Sequence, residues 1–139
     1  MLEPTMGPTK SINNFDALEM SLSQKSILST ASINELKVIF STANEIKALY
    51  ENYKQYICDF NDNLNHLIES SESKHLSKTL HRLLGVSTQL GCERIQALIA
   101  FLKTQEVVLL KQNHLEIRNC ISREYELLAK EINVVFRVS

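Results

Sequence analysis

The sequence predicts an all-α protein, an antiparallel up-and-down four-helix bundle with a short additional N-terminal helix. Apolar residues recur at spacings of three and four along most of the chain, as they do on one face of an amphipathic helix. No stretch shows the alternation with period two that is typical of a half-buried strand. No proline follows Pro8, so long helices can form throughout the rest of the chain.

Residues 1–31 are predicted to be a flexible leader or linker with one short helix at most. They contain both prolines, one of the three glycines and many Ser, Thr and Asn residues, a composition typical of linkers. The folded domain is predicted to span residues 32–139. Its first, short helix is predicted to begin at Ser32, which has the spacing of a capping box with Glu35, and to end near Phe40.

The next two helices are predicted from their amphipathic patterns and their polar ends. The first of them follows a cap at Ser41 or Thr42 and ends near Glu69. A serine in the polar segment 70–73 is predicted to cap the other helix, which ends near Leu90.

The last two helices follow Gly91, which is predicted to end the preceding helix as a left-handed C-cap. One of them is predicted to continue to about Lys111, with a turn at residues 112–113, and Asn113 is predicted to cap the last helix. Their apolar faces consist of Ile95, Leu98, Ile99 and Leu102, and of Ile117, Ile121, Tyr125, Leu128, Ile132 and Val135. Long amphipathic helices joined by short turns indicate the antiparallel bundle.

Length, charge and cysteine content narrow the possible functions. A chain of 139 residues fits one domain, and its net charge of -1 provides no basic excess for binding nucleic acid. Cys58, Cys92 and Cys120 lack the spacing of metal ligands and follow no secretory signal, so we expect reduced thiols in a cytoplasmic protein. The apolar runs are far shorter than the about 20 residues that span a bilayer, so we expect no membrane contact by this domain.

The predicted helix that precedes Gly91 carries the candidate site. At about 100° per residue, its buried stripe consists of Leu76, Leu80, Leu83, Ser87 and Leu90. His81, Gly85 and Thr88 lie on the flank and back of the helix, together with Lys78. A glycine inside a helix costs roughly 1 kcal/mol relative to alanine, so we expect another group to approach the backbone at Gly85.

Residues 81–91, His-Arg-Leu-Leu-Gly-Val-Ser-Thr-Gln-Leu-Gly, resemble the histidine-containing phosphotransfer (HPt) domain, whose usual pattern is His-x-Leu-Lys-Gly-Ser-x-x-x-Leu-Gly. The match covers His81, Leu83, Gly85 and the final Leu-Gly pair. The predicted helices from about residue 32 onwards also follow the order and lengths of the family. One departure from the pattern matters, because the usual lysine three residues after the histidine is Leu84 here.

The resemblance implies a histidine phosphocarrier of a two-component phosphorelay. In that family an exposed imidazole accepts a phosphoryl group on Nε2 from a receiver-domain aspartate and passes it to another receiver, so His81 is the expected phosphoacceptor. The receiver contributes Mg²⁺ and the catalytic aspartate, so we expect a carrier without a cofactor or metal of its own rather than a complete enzyme. The expected docking residues are Lys78, Leu84, Gly85 and Thr88.

The resemblance also indicates the partners. We expect response-regulator receiver domains, and a sensor histidine kinase where the chain is the C-terminal module of a hybrid kinase rather than a free-standing shuttle. The domain is expected to act as a monomer. Lys78 lies about 60° from His81 on the helix and could bring its ammonium near the phosphate, although a simply solvated lysine fits the pattern equally well.

Two other functions fit parts of the sequence. Leu84 makes conceivable a degenerate HPt-like module that binds a receiver or kinase without carrying phosphate, whereas His81 and Gly85 argue against it. The amphipathic helices alone would also fit a general scaffold or adaptor. A hydrolase or metal enzyme has the least support, because no paired carboxylates, Cys-His pair or clustered ligands share a predicted face.

Overall fold

The computed structural model describes residues 15–69 and 73–136, and of Ser73 only the backbone. Within these ranges the chain is helical and contains no strand, so the predicted all-α class is confirmed. The helices are α1 (Phe15–Ser23), α2 (Thr30–Ile39), α3 (Ala43–Glu69), α4 (Ser73–Leu90), α5 (Glu93–Lys103), α6 (Val107–Gln112) and α7 (His114–Val135).

The apolar faces of these helices meet in one core. The long helix α3 packs against α4 and α7, and α5 packs against α4, α7 and α1. The large side chains of Tyr50, Tyr53 and Leu128 lie fully buried in this core. None of the helices in the described ranges combines the length and the apolar character that crossing a membrane requires.

Helix α1 belongs to the core, although it falls in the segment predicted to be a leader. Leu18 and Leu22 of α1 are buried together with Leu28, and the Phe15 ring lies 6.1 Å from the Phe101 ring of α5. The polar average composition of the segment does not reveal this helix. Two leucines four residues apart are enough to give a short helix one apolar face. Residues 1–14 lie outside the described residues.

Helix α2 begins two residues earlier than the sequence indicated. Ser29, not Ser32, is the N-cap, and its Oγ accepts a hydrogen bond from the Ser32 backbone N–H at 3.3 Å. The Ser29 backbone N–H donates to the Gly91 carbonyl at 2.8 Å, so a tertiary contact holds the cap in place. The prediction of a Ser32 cap was wrong because that long-range partner cannot be read from local spacing.

The capping box at the start of α3 joins Thr42 and Glu45. Thr42 Oγ1 accepts from the Glu45 backbone N–H at 3.2 Å, and Glu45 Oε1 accepts from the Thr42 backbone N–H at 3.0 Å. These hydrogen bonds, the one from the Thr42 backbone foremost, lower the pKa of Glu45. Of the two predicted caps, Ser41 or Thr42, the structure has Thr42. The helix extends to Glu69, the last residue described before the gap at residues 70–72.

The single helix predicted between Gly91 and about Lys111 is in fact two helices. The backbone N–H groups of Thr104 and Gln105 bond to carbonyls three residues earlier, and Thr104 Oγ1 also donates to the Phe101 carbonyl at 2.7 Å. Such a local side-chain bond competes with the regular helical pattern. The chain is extended at Glu106 before α6 begins, and the prediction of one continuous helix was therefore wrong.

Two more caps were predicted, a serine before α4 and Asn113 before α7. Residues 70–72 and the Ser73 side chain lie outside what the structure describes, so the α4 cap falls outside it as well. Asn113 does precede α7, but its side-chain amide donates to the Leu109 carbonyl at 2.7 Å and caps no N–H group of α7.

Candidate functional site

Helix α4 turns one face to the core and the other to solvent, as its periodicity predicts. Leu76, Leu80, Leu83, Ser87 and Leu90 are all buried. His81, Lys78, Gly85 and Thr88 are exposed. The predicted separation of the histidine from the leucine stripe is therefore confirmed.

Two buried tyrosines of α3 hold α4 in place. The Tyr53 hydroxyl lies 2.5 Å from Ser87 Oγ, and the Tyr50 hydroxyl donates to the Leu90 carbonyl at 2.6 Å. Burial raises the pKa of both phenols far above the ordinary tyrosine value, so both remain protonated. The buried Ser87 hydroxyl therefore has a hydrogen-bond partner. Together the two contacts fix the rotation of α4 about its axis.

Gly85 leaves open space one turn after His81. A Cβ atom built at this glycine would meet no atom of the described chain within 4 Å, apart from the backbone of its own helix turn. The group expected to approach the backbone here is therefore not a neighbouring helix of this chain in the part that the structure describes. The space beside the histidine is accessible to another molecule.

The other predicted docking residues differ in their availability. Lys78 is exposed and forms no hydrogen bond with His81. Thr88 Oγ1 donates to the Leu84 carbonyl at 2.8 Å, so its hydroxyl proton is used within α4. Leu84 is half-buried and packs against the core, leaving only part of its side chain for contact with a partner.

A residue of α5 that sequence reasoning missed lies beside the histidine. Lys103 Nζ is 3.4 Å from His81 Nδ1, and both side chains are exposed. A signal for this contact was present, since His81 lies eleven residues before Cys92 and Lys103 lies eleven residues after it. In two helices that form a hairpin across a tight turn, residues equally distant from the turn come close together.

Lys103 approaches the histidine from the side of Leu84. Ser77 and Leu80, which lie on that side of α4 by the helical periodicity, line a groove together with Lys103. Lys78 lies on the opposite side of His81, toward α3. A lysine thus stands on the flank where the HPt pattern has one, but it comes from the following helix.

An apolar cleft of about 370 Å³ opens on the α3 side of α4. Among the residues that line it are Tyr56, Phe60, Leu67, Val86 and Arg82. The cleft is separate from the Lys103 contact, because it lies on the other flank of the helix. Its lining includes His66 of α3, which is not followed by the glycine and the Leu-Gly pair that follow His81.

The His81 ring has one nitrogen engaged and one available. Nδ1 faces Lys103, whereas Nε2 has no hydrogen-bond partner among the described residues. An imidazole can act as a nucleophile through an unprotonated ring nitrogen. In the described ranges no three His, Cys, Asp or Glu side chains gather as a metal site would require. The local arrangement is an exposed imidazole with one cationic side chain, Lys103, beside Nδ1.

The three cysteines lie away from this site. Cys92 and Cys120 are buried and Cys58 is half-buried, and none is in a disulfide. Burial raises the pKa of the Cys92 thiol to about 12 and that of Cys120 to about 11, which keeps both in the unreactive thiol form.

Comparison of the chain with protein-family models, with curated proteins and with solved structures finds no match. The assignment of a function therefore depends on the residues and geometry of α4 and its neighbours.

Proposed function

We propose that this protein is a histidine phosphocarrier of a two-component phosphorelay, similar to HPt domains, with His81 as the phosphoacceptor. The observation that carries the proposal is the exposed His81 ring followed, one turn later on the same helix face, by open space at Gly85. Such a carrier would act in the cytoplasm as a monomer and would need no cofactor of its own.

The reaction needs little from the carrier. The Nε2 lone pair attacks the phosphorus atom of a receiver's aspartyl phosphate, the P–O bond to the carboxylate breaks, and the freed carboxylate keeps the electron pair. The proton that the ring then loses passes to water. The receiver's Mg²⁺ neutralises charge on the phosphoryl group during this transfer, so the carrier supplies the nucleophile and a surface on which the receiver fits.

Gly85 supports the proposal as a clearance beside the nucleophile. An exposed glycine in mid-helix lowers helix stability by roughly 1 kcal/mol relative to alanine, and no packing within the described chain compensates for it. A docking partner that must bring an aspartate close to His81 would need the space that the missing side chain leaves. The buried bonds of Tyr53 and Tyr50 keep the helix fixed while the partner docks.

The packing of the helices supports an HPt-like arrangement. We propose that α3, α4, α5 and α7 form an antiparallel four-helix bundle, with α1, α2 and α6 as additional helices. The packing pairs α3 with α4, α4 with α5, α5 with α7, and α7 with α3 make a closed ring of four, which is the pattern that such a bundle produces.

One observation favours the alternative of a degenerate module that binds a receiver or kinase without carrying phosphate. Leu84 occupies the position of the usual lysine and is partly buried against the core. Its apolar side chain cannot supply the positive charge of that lysine. Such a module would bind a receiver or kinase through the surface around His81 but would not accept a phosphoryl group.

Incubation of the full chain with phosphorylated receiver domains tests the proposal. We expect acid-labile, base-stable phosphate to appear on the chain, as a phosphohistidine gives, together with dephosphorylation of the donor receiver. A second receiver added afterwards should collect the label. Receivers that bind the chain in a pull-down but never transfer phosphate to it would establish the degenerate module instead.

A further inference from the structure

The contact between Lys103 and His81 restricts where the imidazole can carry a proton. A lysine ammonium has three hydrogen-bond donors and no acceptor. The hydrogen bond between Lys103 Nζ and His81 Nδ1, at 3.4 Å, therefore requires Nδ1 to offer its lone pair. A proton on Nδ1 would break this bond and would also face the positive charge of the ammonium.

This geometry suits the phosphorylated ring better than the free ring. When phosphate occupies Nε2, the neutral ring leaves the lone pair of Nδ1 free, which is what Lys103 needs as an acceptor. In the free neutral ring, an accepting Nδ1 means that Nε2 carries the proton, and Nε2 is the nitrogen that has to attack. The Lys103 contact is thus complementary to the product of phosphoryl transfer.

We propose that Lys103 is a positioning residue that keeps Nδ1 of phosphorylated His81 unprotonated and so protects the phosphohistidine from hydrolysis. The inference rests on the proposed function and adds a control over the lifetime of the phosphoryl group. It concerns the bond to Nδ1 and assigns Lys103 no contact with the transferred phosphate.

Protonation of the ring is the step that makes a phosphohistidine labile. In hydrolysis a water oxygen attacks phosphorus, the P–Nε2 bond breaks, and its electron pair stays on Nε2. If Nδ1 already carries a proton, the ring leaves as neutral imidazole, whereas without that proton it would have to leave as an imidazolate anion or take a proton during the reaction. A lysine that opposes protonation of Nδ1 therefore slows the loss of phosphate to water.

The other charged side chains of α4 on this face are cationic and do not oppose this effect. Lys78 and Arg82 on α4 are cationic, and neither forms an ion pair within the described ranges. Two carboxylates of neighbouring helices lie on other flanks of α4. Asp59 of α3 lines the cleft beside Arg82, and Glu35 of α2 lines a groove at the C-terminal end of α4.

The lifetime of the phosphoryl group can be measured without any receiver. Phosphoramidate phosphorylates imidazole directly, since Nε2 attacks its phosphorus and ammonia leaves with the electron pair. After removal of the reagent from the full-length protein, the decay of phosphohistidine is followed, and the signal absent from His81→Gln is assigned to His81. We expect Lys103→Gln to shorten the half-life roughly two- to fivefold, the range expected for one exposed charged contact.

Two variants serve as controls for the chemistry. Lys103→Arg keeps a permanently charged donor without acceptors and should restore most of the lifetime, whereas a glutamine can accept a bond from a protonated Nδ1 and should not. Lys74→Gln removes an exposed lysine of α4 that lies two turns before His81, and it should leave the half-life unchanged. The nitrogen NMR signal of Nδ1 should show more ring protonation in phosphorylated Lys103→Gln than in phosphorylated wild type at the same pH.

The results separate this inference from the proposed function. Equal half-lives and equal Nδ1 signals for wild type and Lys103→Gln would overturn the role of Lys103, even if receivers phosphorylate His81 normally. A lifetime that shortens equally in Lys74→Gln would show an effect of general surface charge and would also overturn the role of Lys103. A chain that no receiver phosphorylates would refute the phosphorelay, while the effect of Lys103 on a chemically phosphorylated ring could still be measured.

Discussion

Gly85 and Gly91, at the middle and the end of the same helical segment, lie in opposite environments. A Cβ at Gly85 would meet nothing within 4 Å in the described chain outside its own helix turn. A Cβ at Gly91 would overlap the Ser32 side chain and would lie 2.8 Å from the Ser29 Cβ, and Gly91 also has a left-handed φ of 68°. Gly91 is thus required by the fold of this chain, whereas Gly85 is not.

Gly91→Ala is therefore expected to destabilise the protein. The left-handed backbone alone costs a residue with a side chain about 1–2 kcal/mol, and the overlap with Ser32 on α2 adds to that cost. Urea unfolding followed by circular dichroism measures the change. An unfolding free energy equal to that of wild type would mean that the α2 contact is not formed in solution.

Gly85 substitutions should have the opposite effect on stability. Gly85→Ala should raise the free energy of unfolding by up to about 1 kcal/mol, because alanine has the higher helix propensity and meets no neighbour. Gly85→Gln should leave the melting temperature similar or higher but reduce phosphoryl transfer steeply, because its side chain would project into the space that a receiver needs. A Gln variant that melts early, or that transfers phosphate at the wild-type rate, would remove the argument for a docking clearance.

His81→Gln should separate chemistry from folding. An exposed side chain away from special contacts usually changes stability by no more than about 0.5 kcal/mol, so the melting temperature should hardly move. Phosphoryl acceptance from a receiver should be abolished, because the amide cannot form the phosphoramidate bond. If the mutant is labelled as strongly as wild type, the acceptor is another residue, with His75 the next to replace.

The hydrogen bond between Tyr53 and Ser87 can be tested with a double-mutant cycle. Tyr53→Phe and Ser87→Ala each leave a buried hydroxyl without its partner, and each should cost about 1–3 kcal/mol. The double variant removes both hydroxyls and should cost clearly less than the two single changes together. Strictly additive free energies from chemical denaturation would show that the two groups do not interact.

The lowered pKa of Glu45, at the start of α3, should make the stability of the protein depend on pH. Its folded-state pKa lies below the ordinary glutamate value, because the carboxylate accepts hydrogen bonds from the Thr42 backbone and neighbouring hydroxyls. Its contribution to stability is therefore complete at neutral pH and is lost as the pH falls through the lowered pKa. The stability difference between wild type and Glu45→Gln should shrink on acidification. A difference that stays constant from neutral to acidic pH would contradict this contribution.

The periodicity of single helices explains most of what could be predicted. The start of α3, the end of α4 and the exposed position of His81 depend on residues within one helix, whose spacing is readable in the sequence. The break at Thr104 and the cap at Ser29 could not be read in this way. The first depends on a side-chain bond that competes with the helix, and the second on a carbonyl of a distant turn.

The sequence by itself determined that α4 is amphipathic and that His81 lies on its exposed face, because about 100° of rotation per residue separates that position from the leucine stripe. Only the tertiary structure decided which side chains of other helices stand beside that face. The place of Lys103 next to Nδ1, and the burial of α1 on α5, follow from how helices pack across turns. Distances between helices depend on the turn and the packing of the whole core, and no local pattern in the chain specifies them.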